Sequence, residues 1–210
     1  MKRLIAIVVG LLVSTSVFAQ GAPVLGKEYR EINPPQAVSG SQVEVLEFFS
    51  YACPHCDQFE PLLNSWLDNK PTGVKFTHVP AVFNKRMVPH AMLYYTLEAT
   101  DLLPTLHAKV YDAIHRQGNY LADREAIMKW AAEQGADMKK FEAAYDSFGV
   151  GNKVQRAMQL ARSLRIPGTP YMIVNRKYLT GPGMTMRPDG RSVDAQRFVV
   201  VLNTLIDMER

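Results

Sequence analysis

Residues 43–68 read VEVLEFFSYACPHCDQFEPLLNSWLD. Val43 to Phe49 is a β-branched and aromatic run of strand length, which predicts a buried strand that ends just before two cysteines. From Pro54 to about Asp68, the apolar residues Phe59, Leu62, Leu63, Trp66 and Leu67 recur at helical spacing, with Pro54 in a tolerated first-turn position and Pro61 expected to kink the helix. Cys53-Pro54-His55-Cys56 therefore falls at a strand-to-helix junction, with Cys53 at the helix N-terminus.

Outward from this junction, Lys70-Pro71-Thr72-Gly73 breaks the helix and Val74 to Val79 forms a second strand, completing a βαβ unit. Upstream lies an irregular start with Pro34-Pro35 and a Ser39-Gly40-Ser41 turn. Between Met87 and Phe148 no strand-like run occurs. Amphipathic segments replace it: Ala91 to Ala99, Leu103 to Arg116, Arg124 to Gln134 behind an Asp123 cap, and Met138 to Phe148. A helix from about Asn152 to Leu164 then leads to Ile166-Pro167-Gly168-Thr169-Pro170. Strands Tyr171 to Val174 and Lys177 to Thr180 follow, joined by a tight Asn175-Arg176 turn. After a Gly- and Pro-containing loop from Gly181 to Gly190, a helix from Val193 to Met208 closes the chain. The expected fold class is α/β, a central mixed sheet flanked by helices with an inserted all-helical subdomain. Its parts are a first segment over 20–83, the helical insertion over 84–150 and a second segment over 151–210.

The N-terminal twenty residues, MKRLIAIVVGLLVSTSVFAQ, place Lys2 and Arg3 before a short apolar run and small residues at Val17 and Ala19. This is the pattern of a secretory signal, residues 1–19, cleaved after Ala19; the apolar run is well short of the roughly 20 residues that span a bilayer. Some 190 residues remain, about enough for one core with an inserted subdomain. The formal charge of +4, of which Lys2 and Arg3 contribute two, is spread without a basic run, so nucleic-acid binding is unsupported.

The chain has two cysteines in all, three positions apart. A disulfide closing so small a loop constrains the unfolded chain little, so redox chemistry explains it better than stapling. Thiol-disulfide exchange needs one reachable thiolate and a second sulfur near enough to close the ring again. A helix N-terminus stabilises the thiolate of Cys53 with unpaired N–H groups and the positive end of the dipole, and a protonated or donating His55 would add to this. A zinc site would need four ligands, and His78, His90, His107 and His115 lack the spacing to supply them. The histidines outside the motif are expected to be structural, and the Met and Tyr residues of the insertion to be core.

The stretches LEFFSYACPHCDQFEP and IPGTPYMIVN, in this order, resemble the thiol-oxidase family named DsbA, over nearly the whole mature chain. The resemblance implies a thioredoxin-like fold, Cys53 as nucleophile and leaving group, and Cys56 as buried resolving partner. It also implies Pro54 and His55 as the dipeptide that tunes potential, a cis bond at Thr169-Pro170 beside bound substrate, and Glu47 as a buried acid that accepts the proton of Cys56. Family members often set a lysine against that acid; Thr77-His78 stands there in this chain. In function, the resemblance implies a periplasmic, monomeric oxidant of reduced, unfolded secreted proteins, reoxidised by a membrane quinone reductase of the DsbB type, with no bound cofactor or metal. The competing readings are a reductase or isomerase, or a peptide-binding chaperone in which the cysteines are incidental.

Overall fold

The computed structural model describes residues 21–38 and 40–210; the signal segment expected over 1–19, and Ser39 of the expected turn, lie outside them. Strand β2 (Val43–Phe49) runs parallel to β3 (Val74–Pro80) and antiparallel to β4 (Tyr171–Val174), which pairs antiparallel with β5 (Tyr178–Thr180). The five-stranded mixed sheet has the order β1-β5-β4-β2-β3, where β1 is a two-residue strand, Arg30–Glu31, paired antiparallel with β5. The sequence reading made this N-terminal stretch irregular. Both β1 residues are exposed, so no apolar alternation marks the strand, and only its pairing with β5 defines it.

Helix α1 (Pro54–Asn69) continues through Pro61, and α7 (Ala195–Asp207) lies with it on one face of the sheet. There Val43 and Val45 of β2 pack with Phe59, Leu63, Trp66, Phe198, Leu202 and Leu205. On the other face, Leu46, Phe48 and Ile173 meet Ala157, Ala161 and Leu164 at α6 (Phe148–Ser163). The period of two along β2 thus divides its side chains between two cores. Leu63 and Leu202 have no exposed area, and truncating either to alanine would cost about 2–5 kcal/mol.

The stretch 88–145 holds four helices: α2 (Val88–Ala99), α3 (Leu103–His115), α4 (Arg124–Glu133) and α5 (Met138–Tyr145). They enclose a separate core of Leu97, Leu106, Val110, Ile127, Trp130 and Phe141, which reaches Phe49, Tyr51 and Cys56 at the end of β2 and the start of α1. The Asp123 cap forms as expected, its Oδ1 accepting from the Ala126 N–H at 2.9 Å. Helix α6 begins at Phe148 rather than Asn152, because Ser147 Oγ accepts from the Val150 N–H at 3.1 Å and caps the chain four residues earlier. Helix α5 ends at Tyr145, three residues short of the expected end, for the same reason. The β4–β5 turn spans Asn175 to Lys177, between the paired Val174 and Tyr178, with positive φ at both Asn175 and Arg176, so β5 begins one residue later than the expected Lys177. Asn175 Oδ1 also ties this turn to the Glu44 N–H at 2.9 Å.

Candidate functional site

The end of β2 delivers the chain directly into α1. Cys53 is the N-cap residue, half-buried and extended (φ −89°, ψ 114°); Pro54 and His55 are exposed in the first turn, and Cys56 is 1 % exposed. Both cysteines are free thiols. Hydrogen bonding from the Cys56 thiol draws the Cys53 pKa down to about 5. Burial opposes the shift, and the Thr169 side chain and the backbone N–H groups of Cys56 and His55 reinforce it. His55 thus acts on this sulfur through its backbone, and it is one of the residues that line the neighbouring groove. The same hydrogen bond, seen from the other side, pushes the Cys56 thiol far above the ordinary range, and burial pushes it further. The Ser50 N–H donates to Cys56 Sγ at 3.5 Å.

Across from the helix, the loop before β4 brings Thr169 to the cysteines. The Cys53 thiol donates to the Thr169 carbonyl at 3.4 Å, and the Thr169–Pro170 bond is cis. A second cis bond, Asn33–Pro34, was not anticipated. Gly181 backs this loop: a Cβ there would stand 3.0 Å from the Pro170 carbonyl oxygen and 3.2 Å from the Tyr171 ring. A groove of about 610 Å³ opens beside the motif, lined by His55, Phe59, Leu62, Pro170, Tyr171 and Met186 among others. Met186, 39 % exposed, belongs to the loop after β5, which carries no chemical signature in the sequence.

Beneath the motif, Glu47 is buried, 1 % exposed. Its register partner on β3 is His78, and Glu47 Oε2 lies 2.5 Å from His78 Nδ1. Burial pushes the His78 pKa down, but the Glu47 hydrogen bond and the charges of Glu47 and Glu60 outweigh it, so the imidazole sits above its ordinary value. Glu47 Oε1 is buried and has no hydrogen-bond partner among the described residues.

Two members of this cluster were missed. Glu60, on α1, is buried and lies 3.3 Å from His107 Nε2 of α3, an ion-pair separation off the line of a hydrogen bond. Burial raises its pKa, but His107, the charge of His78 and Asn64 bring it below the usual carboxylate range. His107 Nδ1 meets the Tyr51 hydroxyl at 2.7 Å. His90 meets the Tyr120 carbonyl and His115 the Tyr51 carbonyl, whereas the insertion folds His107 back against α1. Glu60 was open to detection, being one helical turn after Cys56 on a buried face. His107 had no local signal. Among the described residues, no group of three or more His, Cys, Asp or Glu side chains is arranged to hold a metal ion.

The sequence profile of the DSBA-like thioredoxin domain matches residues 44–194. The Bordetella parapertussis protein named thiol:disulfide interchange protein DsbA is 44 % identical over 173 residues, covering 81 % of this chain and 82 % of that protein. The Azotobacter vinelandii protein of the same name is 36 % identical and covers 95 % of each chain. Among solved structures, Pseudomonas aeruginosa DsbA superposes with a TM-score of 0.80 at 33 % identity, covering 90 % of this chain and 95 % of that one. The Xylella fastidiosa oxidoreductase DsbA gives 0.78 at 27 % identity, covering 90 % and 99 %. With paired cysteines at the head of α1, a facing cis-proline loop and matches that span most of its length, the chain belongs to the DSBA-like thioredoxin domain family.

Proposed function

We propose that this thiol:disulfide oxidoreductase works as an oxidant, donating the Cys53–Cys56 disulfide to reduced, unfolded proteins exported to the periplasm. The observation that carries this direction is the asymmetry between the two sulfurs: the Cys53 pKa is drawn down to about 5 while that of Cys56 is driven up. A stabilised Cys53 thiolate favours the reduced protein, and each unit by which such a pKa lies below ambient pH corresponds to about 30 mV for a two-electron couple, less where solvent screens the sulfur. It also makes Cys53 a good leaving group.

In this reading a substrate thiolate attacks the half-buried Cys53 sulfur and the Cys53–Cys56 bond breaks. Cys56 leaves with the electron pair and takes a proton, and a mixed disulfide joins substrate to Cys53. The substrate's second thiolate then attacks its own sulfur in that mixed disulfide, releasing an oxidised substrate and the Cys53 thiolate. Thr169 and Pro170 hold the substrate backbone, the groove beside His55 takes its apolar side chains, and Glu47 serves proton transfer at Cys56. Reoxidation falls to a membrane quinone reductase of the DsbB type, with no bound cofactor in the chain. The leader-like residues 1–19 support export. The separate hydrophobic core of the insertion supports a division into a thioredoxin-like frame (20–83 and 151–210) and a helical subdomain (84–150) within a monomer.

An equilibrium titration of the mature protein against glutathione tests the direction. A potential well above those of cytosolic reductants is expected, with Cys53 thiolate absorbance lost near pH 5. A strongly negative potential with a near-neutral or higher thiol pKa would overturn the oxidant reading in favour of a reductase.

A further inference from the structure

The groove beside the cysteines is apolar but for one cation. Phe59 and Leu62 of α1, Tyr171 of β4, and Met186 and Val193 line it with apolar surface. Among the described residues that line it, Arg191 alone carries a fixed charge, and no Asp, Glu or Lys is present. Arg191 is exposed, and its guanidinium pairs with no carboxylate among the described residues. The acids nearest to the lining residues along the chain have other partners. Asp189 Oδ1 accepts from the Arg191 N–H at 3.0 Å, Asp194 Oδ1 accepts from the Arg197 N–H at 2.9 Å, and Asp57 and Glu60 face Arg116 and His107.

The segment that carries Arg191 is a small hairpin. Met186 and Val193 form an antiparallel bridge, the Arg187 N–H donates to the Ser192 carbonyl at 2.8 Å, and the Asp194 N–H donates to the Thr185 carbonyl at 2.7 Å. Gly190 turns the chain with a φ of 66° and donates its N–H to the Arg187 carbonyl at 2.8 Å. The hairpin therefore offers the groove two apolar side chains and one cation from a fixed backbone. Thr169 and Pro170 line the same groove, and the Thr169 carbonyl lies 3.4 Å from Cys53 Sγ. A polypeptide joined to Cys53 through its own cysteine thus has its neighbouring residues at this groove.

We propose that Arg191 determines substrate specificity: it pairs with an Asp or Glu side chain close in sequence to the substrate's reacting cysteine, while the apolar wall takes that residue's apolar neighbours. This deepens the oxidant reading and rests on it. The occupant is an extended polypeptide segment with a carboxylate among apolar residues. A Lys at the same place meets like charge in a groove that has no acid of its own to offset it. Successive side chains of an extended segment point to opposite sides, so the carboxylate reaches Arg191 from some flanking positions and not from others.

The test is stopped-flow oxidation of matched two-cysteine peptides that carry Glu, Gln or Lys in turn at each position flanking the first cysteine. Each rate is divided by that peptide's thiolate fraction, since a nearby charge shifts the thiol pKa. At one or more positions the wild type should favour Glu over Gln by about two- to fivefold, the worth of a solvent-facing ion pair, and should disfavour Lys. In about 1 M salt this preference should fade. Arg191→Gln should remove it, and Arg191→Glu should turn it toward Lys. The ratios are taken within each protein, so a variant's overall rate does not enter them. Equal wild-type rates for the three peptides at every position, or a preference that survives Arg191→Gln or the salt in full, overturns the assignment. A wild type that oxidises none of the peptides overturns the oxidant reading and this one with it, whereas an active wild type without a charge preference overturns this one alone.

Discussion

Glu47 on β2 and His78 on β3 are register partners, and their side chains close to 2.5 Å inside the protein. The folded His78 pKa is raised, so the stability this pair contributes is fully present below the unfolded imidazole value of about 6.5 and is lost as pH rises through the higher folded value. His78→Gln should therefore destabilise the protein by about 1–3 kcal/mol in urea unfolding at pH 6, and by less at pH 9. An equal or larger deficit at the higher pH would show that the imidazole charge is not what holds the pair.

The two cysteines should separate cleanly toward an alkylating agent. At about pH 6 iodoacetamide should label Cys53 alone in the reduced native protein, since only that thiol is largely ionised, and Cys56 only after unfolding. Because the folded Cys53 pKa is depressed, its contribution to the stability of the reduced form is present above the unfolded thiol value of about 8.5 and is lost as pH falls through about 5. Mass spectrometry showing native labelling of Cys56 would contradict the assignment of the two roles.

Gly181→Ala should disturb the active site from behind. Its backbone is extended and open to any residue, but the new methyl would press on the Pro170 carbonyl and the Tyr171 ring. The expected cost is about 1–3 kcal/mol of stability, with slower peptide oxidation as the Thr169 carbonyl shifts away from Cys53. A variant with unaltered stability and rate would mean that this loop yields without effect.

Met186 lines the groove beside the cysteines and is partly exposed. Met186→Lys should lower the rate of oxidising a reduced, unfolded polypeptide relative to that of a small dithiol, by about three- to tenfold in the ratio, because only the polypeptide needs the groove. An unchanged ratio would place polypeptide binding elsewhere on the surface.

Much of the frame was legible along the chain because its signals are local. The apolar run 43–49, the helical period after Pro54 and the Asn175-Arg176 turn each state their own backbone conformation, and each appears where it was expected. Strand β1 and the start of α6 were not legible. The first exists through its hydrogen bonds to β5, and the second depends on whether Ser147 caps the chain before the apolar period begins.

The same division runs through the candidate site. The sequence by itself determined the pairing of Cys53 with Cys56 and their place at the head of α1, because a three-residue spacing and a strand-to-helix junction are matters of neighbouring residues. Tertiary structure decided the rest: that Thr169, 116 residues beyond Cys53, lies against its sulfur, that His78 closes on Glu47, and that His107 returns from the insertion to Glu60. Those contacts join positions that share no periodicity or spacing, and they are set by the register of β2 against β3 and by the packing of α3 on α1. A sulfur's pKa depends on the few groups within reach of it through space, and the chain order does not state which groups those are.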